Sequence, residues 1–398
     1  MALETTLDSP NVFRQYIERN AQYALLLLHA AEPPLSRKQL AVILQALQYT
    51  LSLKTLWSFS KQLLLTLAPQ MELLDLRVIW RPYLEEGLRQ SLEAGDQEAE
   101  LALHYYLGNI LRESNAYDEA IEHYERGIQL AKKLKKSQCQ ARLLNRYAFA
   151  LRRKKLFGRA ELCAKQALAL AHDDPIERGY SNLVLGSIRY DQRRWDECLT
   201  FSYRALEIWK THDARHELAW AYTNLGVALW RKGELDEAER HLEQGILYFE
   251  EMGAIVFQAT AKLTLGAVLL EKEAPEKALI ILAEAEKVFH AIRDRRRMAM
   301  AANNLAHAYQ MLQQWEDAID AFHQSIALWR EMGEMAKALD VLHSLISLLI
   351  DIGEEQHARQ LLQKGRRDLT ALEGQPEYDW LEAEFERLTS SLTSSDEN

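Results

Sequence analysis

Between residues 97 and 133 the apolar positions return at helical spacing in two separate runs. Leu107, Ile110 and Leu111 form the first run, and Tyr117, Ile121, Tyr124 and Ile128 form the second. The polar stretch RESNA between them is too short for more than a turn, so the pattern predicts two antiparallel helices. The same pair then recurs along the chain. Ala120, Ala160, Cys198, Ala238, Ala278, Ala318 and Ala358 follow one another at intervals of 40 residues, once 38. A second small-residue series runs Gly108, Ala148, Gly186, Gly226, Gly266 and Ala306, and Ile346 breaks it; a third runs from Gly127 through Ala167 and Ala205 to Gly365. Glycine inside a helix costs about 1 kcal/mol relative to alanine, so its regular return marks places where helix axes approach closely. Tyr117, Phe157, Trp195, Leu235, Pro275 and Trp315 open the second helix of each pair, and the Trp315 ring is expected to pack back on the first. Acids just after the opener, such as Asp118 and Glu119, suit a helix N-terminus.

Leu-Gly at 107–108, 185–186, 225–226 and 265–266, with small residues twelve and nineteen positions after the glycine, resembles the tetratricopeptide repeat (TPR). The common repeat has 34 residues; a 40-residue form is similar to the arrays of kinesin light chains, bacterial peptide-sensing regulators and the sensor arms of STAND-type signalling NTPases. The resemblance implies an all-α fold, a right-handed TPR superhelix of antiparallel helix pairs. Seven units are expected over 95–372, after an N-terminal helical region with a divergent repeat (1–94) and before a capping helix and disordered tail (373–398). Within the N-terminal region, helices are expected near 11–31, 36–51, 54–68 and 71–93. The stretch from LWSFS to LEAGD resembles the segment that joins STAND ATPase and winged-helix portions to their TPR arms, yet no G-x-x-x-x-G-K-[ST] loop is present. A P-loop NTPase would have to be a separate partner.

In TPR arrays the first helix of each pair lines the recognition groove. Carried onto this chain, the resemblance implies a protein- or peptide-binding surface that includes Tyr105, Asn109, Arg142, Asn145, Phe149, Tyr180, Tyr190, Trp220 and Trp230. Asn224 and Asn304 could grip a peptide backbone through one donor and one acceptor each, or bond within the array.

Charge adds a second signal. The chain is −10 overall, but residues 131–165 hold twelve Lys and Arg against one acid, Glu161. Arg142, Arg146 and Arg153 follow at helical spacing with Phe149 on the same face, while Ala141, Leu144, Ala148 and Leu151 form the buried stripe. Three readings stand: a solvated basic face, a docking site for an acidic extended peptide, and a nucleic-acid track. The overall acidity and the confinement of the patch to one repeat disfavour nucleic acid.

The remaining chemistry narrows the class. There is no G-x-S-x-G, G-x-G-x-x-G or H-E-x-x-H and no metal-spaced cysteine set, so neither catalysis nor a cofactor is expected. His212 and His216 have i, i+4 spacing, but two ligands at a turn seldom hold a metal. LSRKQLAVILQALQYTLSLKTLWSF lacks the glycine turn and basic recognition helix of a helix-turn-helix. No stretch is long enough for a membrane span, no secretory leader is seen, and Cys139, Cys163 and Cys198 fit a reducing, cytoplasmic setting. The expected class is a non-catalytic recognition protein or scaffold that regulates a partner, or else the ligand-sensing arm of a STAND-type regulator.

Overall fold

The computed structural model describes residues 10–30, 35–74 and 76–394. Over these residues the chain is all α, an array of helix pairs: α1 (Pro10–Ala30), α2 (Arg37–Leu51), α3 (Trp57–Leu73), α4 (Arg77–Ala94), α5 (Gln97–Glu113), α6 (Tyr117–Lys133), α7 (Ser137–Arg153), α8 (Phe157–Leu170), α9 (Pro175–Asp191), α10 (Trp195–Lys210), α11 (Arg215–Lys232), α12 (Leu235–Glu251), α13 (Ile255–Glu271), α14 (Pro275–Ile292), α15 (Arg295–Met311), α16 (Trp315–Glu331), α17 (Met335–Asp351), α18 (Glu355–Leu369) and α19 (Tyr378–Ser394). Two compact units are distinguishable, 1–228 with 248–254, and 229–247 with 255–398.

The repeated small residues are buried as their spacing demands. Ala120, Ala160, Ala238, Ala278, Ala318 and Ala358 are fully buried, and Cys198 fills the same position in its own repeat. A Cβ built on Gly108 would lie 2.5 Å from the Tyr124 ring, and one on Gly266 would lie 2.4 Å from Leu282. Neighbouring helices therefore pack directly onto these backbones. In the first unit Leu47, Leu63, Leu67, Trp80, Leu84 and Leu103 form one core, and Tyr124, Leu143, Leu151, Val184 and Ile188 another. In the second unit Phe322, Leu342, Leu345 and Leu349 join Leu381, Phe385, Leu388 and Leu392 of α19.

The turns are uniform although the repeats lack a terminal proline. Asn115, Lys135, Lys155, Arg193, Asp213, Glu273, Arg293 and Gln313 all have positive φ. Each of these αL residues is followed by an amide that reaches back five residues, as in Ala116 N to Leu111 O (2.9 Å), Lys136 N to Ala131 O (2.9 Å) and Ala274 N to Leu269 O (2.9 Å). This is the Schellman closure, which satisfies the last helical carbonyls. Most of these positions are not glycine, so the turn is set by packing on both sides and not by local preference.

Three expectations are corrected. Trp315 keeps 38% of its surface exposed, so its ring does not bury against α15, whereas Trp195 meets Tyr190 edge to face at 5.3 Å. α3 runs through Pro69 to Leu73 instead of ending at the proline. The EPPLS break falls largely outside the described residues, and α19 continues to Ser394, taking in the first part of the tail read as disordered.

α19 sits against Gly365, where a Cβ would meet Phe385 at 2.4 Å. Removing residues 376–398 uncovers the apolar surface that Leu381, Phe385 and Leu388 bury. The truncated chain is expected to self-associate, and light scattering over a concentration series checks this.

Candidate functional site

The candidate surface in the first unit is built from the first helices of successive pairs. α5, α7 and α9 pack side by side. They bring together Tyr105, Asn109, Arg142, Asn145, Arg146, Phe149 and Tyr180. The arginines lie over aromatic rings: Arg142 over Tyr105 at 5.7 Å, Arg146 over Tyr180 at 3.7 Å, and Arg112 and Arg152 over Phe149 at 5.6 and 5.3 Å. Contacts of this kind hold a guanidinium in place while leaving its edge N–H groups for other partners.

Glu177 of α9 organises the centre. It is 1% exposed, and its backbone N–H donates to the capping carboxylate of Asp174 at 3.1 Å. Its side chain accepts from Asn145 Nδ2 at 2.9 Å and Arg142 Nε at 3.3 Å, and lies 3.7 Å from Arg146 Nη2. Asn145 also donates to the Glu177 carbonyl at 2.9 Å and accepts from Ser181 Oγ at 2.9 Å. Asn145 is fully buried and its amide is used within the array. Arg146 is likewise buried, while Arg142 keeps 48% of its side chain exposed. Asn109 is buried too; it donates to Glu72 Oε1 of α3 at 2.8 Å and accepts from Tyr124 at 2.9 Å. Burial pushes the Glu72 carboxyl up, against the pull of Asn109, Arg146 and Arg112.

Other expected site residues lie apart. Arg153, at the end of α7, donates to the Tyr117 hydroxyl at 3.0 Å and does not share the Arg142 cluster. Tyr190 packs on Trp195, and Trp220 meets Phe249 edge to face at 5.4 Å. Asn224 donates to its own helix at Trp220 O, 2.8 Å, so its amide supports α11. In the second unit, Trp230 carries Arg231 over its ring at 4.3 Å, and Asn304 is half-buried on α15.

The basic run from 131 to 165 is thus not one strip. Its centre is committed to Glu177. Lys136 pairs with Glu98, Lys154 with Asp118, and Arg152 with Asp191. Exposed Lys132, Lys133 and Lys135 lie at one end of α7, and Lys155 at the other. Glu177 and Glu72 were not singled out in the sequence, because one acid among many carries no local signal.

Next to this cluster, His104 of α5 and His123 of α6 face each other with Nδ1 atoms 2.9 Å apart, one donating and one accepting. Burial, then the neighbouring His123, holds the His104 imidazole down at about 4. An unfolded histidine titrates near 6.5. The unfolded chain therefore takes up protons first, and stability present above pH 6.5 is lost as pH falls towards 4. The loss is on the order of 3 kcal/mol. Urea melts at pH 7 and pH 5 are expected to differ by about 2 kcal/mol in the natural chain, the part of the loss reached above the folded value, and by much less in His104→Leu.

Among the described residues, no group of three or more His, Cys, Asp or Glu side chains is placed to hold a metal ion, and no helix is long and apolar enough to cross a membrane.

Fold and site define a helix-pair repeat protein with an arginine–aromatic face. Tetratricopeptide-repeat models match residues 101–134, 178–247 and 298–332, and the chain is a tetratricopeptide-repeat protein. No curated protein matches the sequence. Among solved structures, the chain is similar to the STAND protein with a tetratricopeptide repeat sensor from Pyrococcus horikoshii (13% identity, TM-score 0.59, covering 98% of this chain and 68% of that one). It is also similar to a Rap protein complexed with competence and sporulation factor (16%, TM-score 0.52, 85% and 99%). A third likeness is to the APC/C hetero-tetramer Cut9-Hcn1 (14%, TM-score 0.59, 96% and 70%). At these identities the likeness is one of fold.

Proposed function

We propose that this protein is a non-catalytic recognition module that binds an acidic, extended segment of a partner protein along α5, α7, α9 and α11 and thereby regulates that partner. The observation that carries this reading is the series of half-buried rings, Tyr105, Phe149 and Tyr180, each with a guanidinium over it. Rings supply buried area, and arginine edges supply charge-assisted contacts to carboxylates. The Rap structure, complexed with competence and sporulation factor, supports the use of such an array for binding. Exposed Arg142 and the Lys132, Lys133 and Lys135 edge would steer the acidic segment, and Trp220 would add an anchor. Nucleic acid is disfavoured, since much of the basic run is already paired within the array.

Capture from source lysate identifies the partner, and surface plasmon resonance with its acidic segment tests the site. Arg142→Glu should slow association and flatten the salt dependence, while Trp220→Ala should speed dissociation by a factor of about thirty. Equal binding by both variants and the natural chain would remove this reading.

A second reading is the sensor arm of a STAND-type regulator that works with a P-loop NTPase on another chain. It is favoured by the span of the likeness to the Pyrococcus horikoshii protein, which takes in 98% of this chain. Co-purification of an NTPase, with nucleotide-dependent release, would select it.

A further inference from the structure

We propose that the outer face of α1 is the contact of a symmetric homodimer, in which the α1 helices of two copies lie antiparallel across a two-fold axis between Arg19 and Asn20. This surface lies outside the recognition face of α5, α7, α9 and α11. α1 packs against α2 and α3, and its inner side is buried at Ile17, Ala21 and Ala24. The same helix leaves Phe13, Tyr16, Tyr23 and Leu26 with 55% to 66% of their surface exposed. Successive steps of three, seven and three residues put all four on one side of the helix, along about 20 Å. Single exposed apolar side chains are ordinary, but a continuous stripe marks a contact surface. The last helix, α19, is built differently. Among the described residues it exposes one large apolar side chain, Trp380, and beyond it Glu382, Glu386, Arg387 and Ser390.

The spacing of the stripe favours a second copy as its occupant. Counted from the point between Arg19 and Asn20, the apolar residues stand at equal distances in both directions, Tyr16 and Tyr23 as the inner pair and Phe13 and Leu26 as the outer. An antiparallel copy therefore sets Tyr16 against Tyr23 and Phe13 against Leu26, and each contact is made twice. That is the self-complementarity an isologous interface requires. A partner of unrelated sequence places no such demand on the spacing. At the axis each Arg19 guanidinium is placed to donate to the amide oxygen of Asn20 in the other copy. Opposed helix directions also bring ends of opposite partial charge together. The area agrees with a dimer of modest affinity. With half or more of each side chain exposed, the four cover on the order of 400 Å² per copy. A standard interface takes about 800 Å² per partner, so the dimer belongs with the weak, concentration-dependent ones.

Sedimentation velocity of the full chain, from about 1 µM to about 100 µM, tests this. The expected result is a shift from monomer to dimer and no further, because an isologous contact closes at two copies. Tyr16→Lys and Tyr23→Glu change exposed positions, so each protein should melt as the natural chain does. Each should raise the dimer dissociation constant about a hundredfold, since the charge is buried twice in the pair. An equimolar mixture of the two variants should dimerise again, to within about tenfold of the natural chain. In the mixed pair one lysine faces one glutamate, and the remaining two tyrosines still meet. Phe13→Lys with Leu26→Glu repeats the exchange at the outer pair and replaces the first set if either tyrosine variant melts lower. Ile280→Lys removes an equally exposed apolar side chain from α14 and should leave the dimer unchanged. A natural chain that stays monomeric throughout overturns the proposal, as it would if another protein or a lipid surface covered the stripe. A dimer insensitive to the charged variants, or a mixture that fails to dimerise, overturns it as well.

Discussion

Glu177→Ala is expected to lower stability by about 3–5 kcal/mol, the cost of leaving a buried cation without its partner. Glu177 is buried, caps nothing itself, and accepts from Asn145, Arg142 and Arg146 at once. Its removal strands Arg146 and the Asn145 amide together. Glu177→Gln keeps an acceptor for Asn145 and should lose less. Arg146→Met removes the buried charge, and the double variant with Glu177→Ala should recover much of the loss. Chemical denaturation of the four proteins forms the cycle. A Glu177→Ala midpoint unchanged from the natural chain would mean that the arginine cluster is already solvated.

The second large effect concerns Gly179. A Cβ there would stand 2.2 Å from Trp209 Nε1 and 2.3 Å from the adjoining ring carbon. Trp209 is fully buried and its indole N–H donates to Ile176 O at 3.1 Å, so the ring cannot move aside without losing that bond. Alanine is the better helix former by about 1 kcal/mol, yet Gly179→Ala is expected to cost about 2 kcal/mol or more net, because overpacking is added to a broken hydrogen bond. Gly179→Ala made on a Trp209→Leu background should cost much less than in the natural chain. Thermal melts give both numbers, and equal costs on the two backgrounds would show that the glycine is not held open by this ring.

What was legible in the sequence was the part that repeats. The 40-residue return of Ala120, Ala160 and their successors located the helix pairs because close packing leaves no room for anything larger. Gly179 carried a readable signal, a glycine in a helix thirty residues before Trp209, but it lies outside the repeated series and passed unnoticed. The site was less legible. Arg142, Asn145, Arg146 and Phe149 were placed on one helix, but spacing along that helix does not tell a side chain facing a ligand from one facing α9. Glu177, 32 residues after Asn145, accepts from its amide. The turns were illegible for another reason: Lys135, Lys155 and Glu273 take a left-handed conformation that their own preferences oppose.

Those turns bear on how such a chain can change its length. Asn115, Lys135 and Lys155, and later Glu273, Arg293 and Gln313, close their helices 20 residues apart with the same back-reaching amide. Any two closures two steps apart are interchangeable as splice points. A crossover between them adds or removes a complete helix pair, and every joint meets a neighbour of the shape it already fits. A gain or loss of a few residues within a helix has no slack in which to be absorbed, since the loops are already at their minimum. Duplication by whole modules is therefore the inexpensive route of variation open to this gene, and the number of helix pairs along it is free to drift while the chemistry of each joint stays the same.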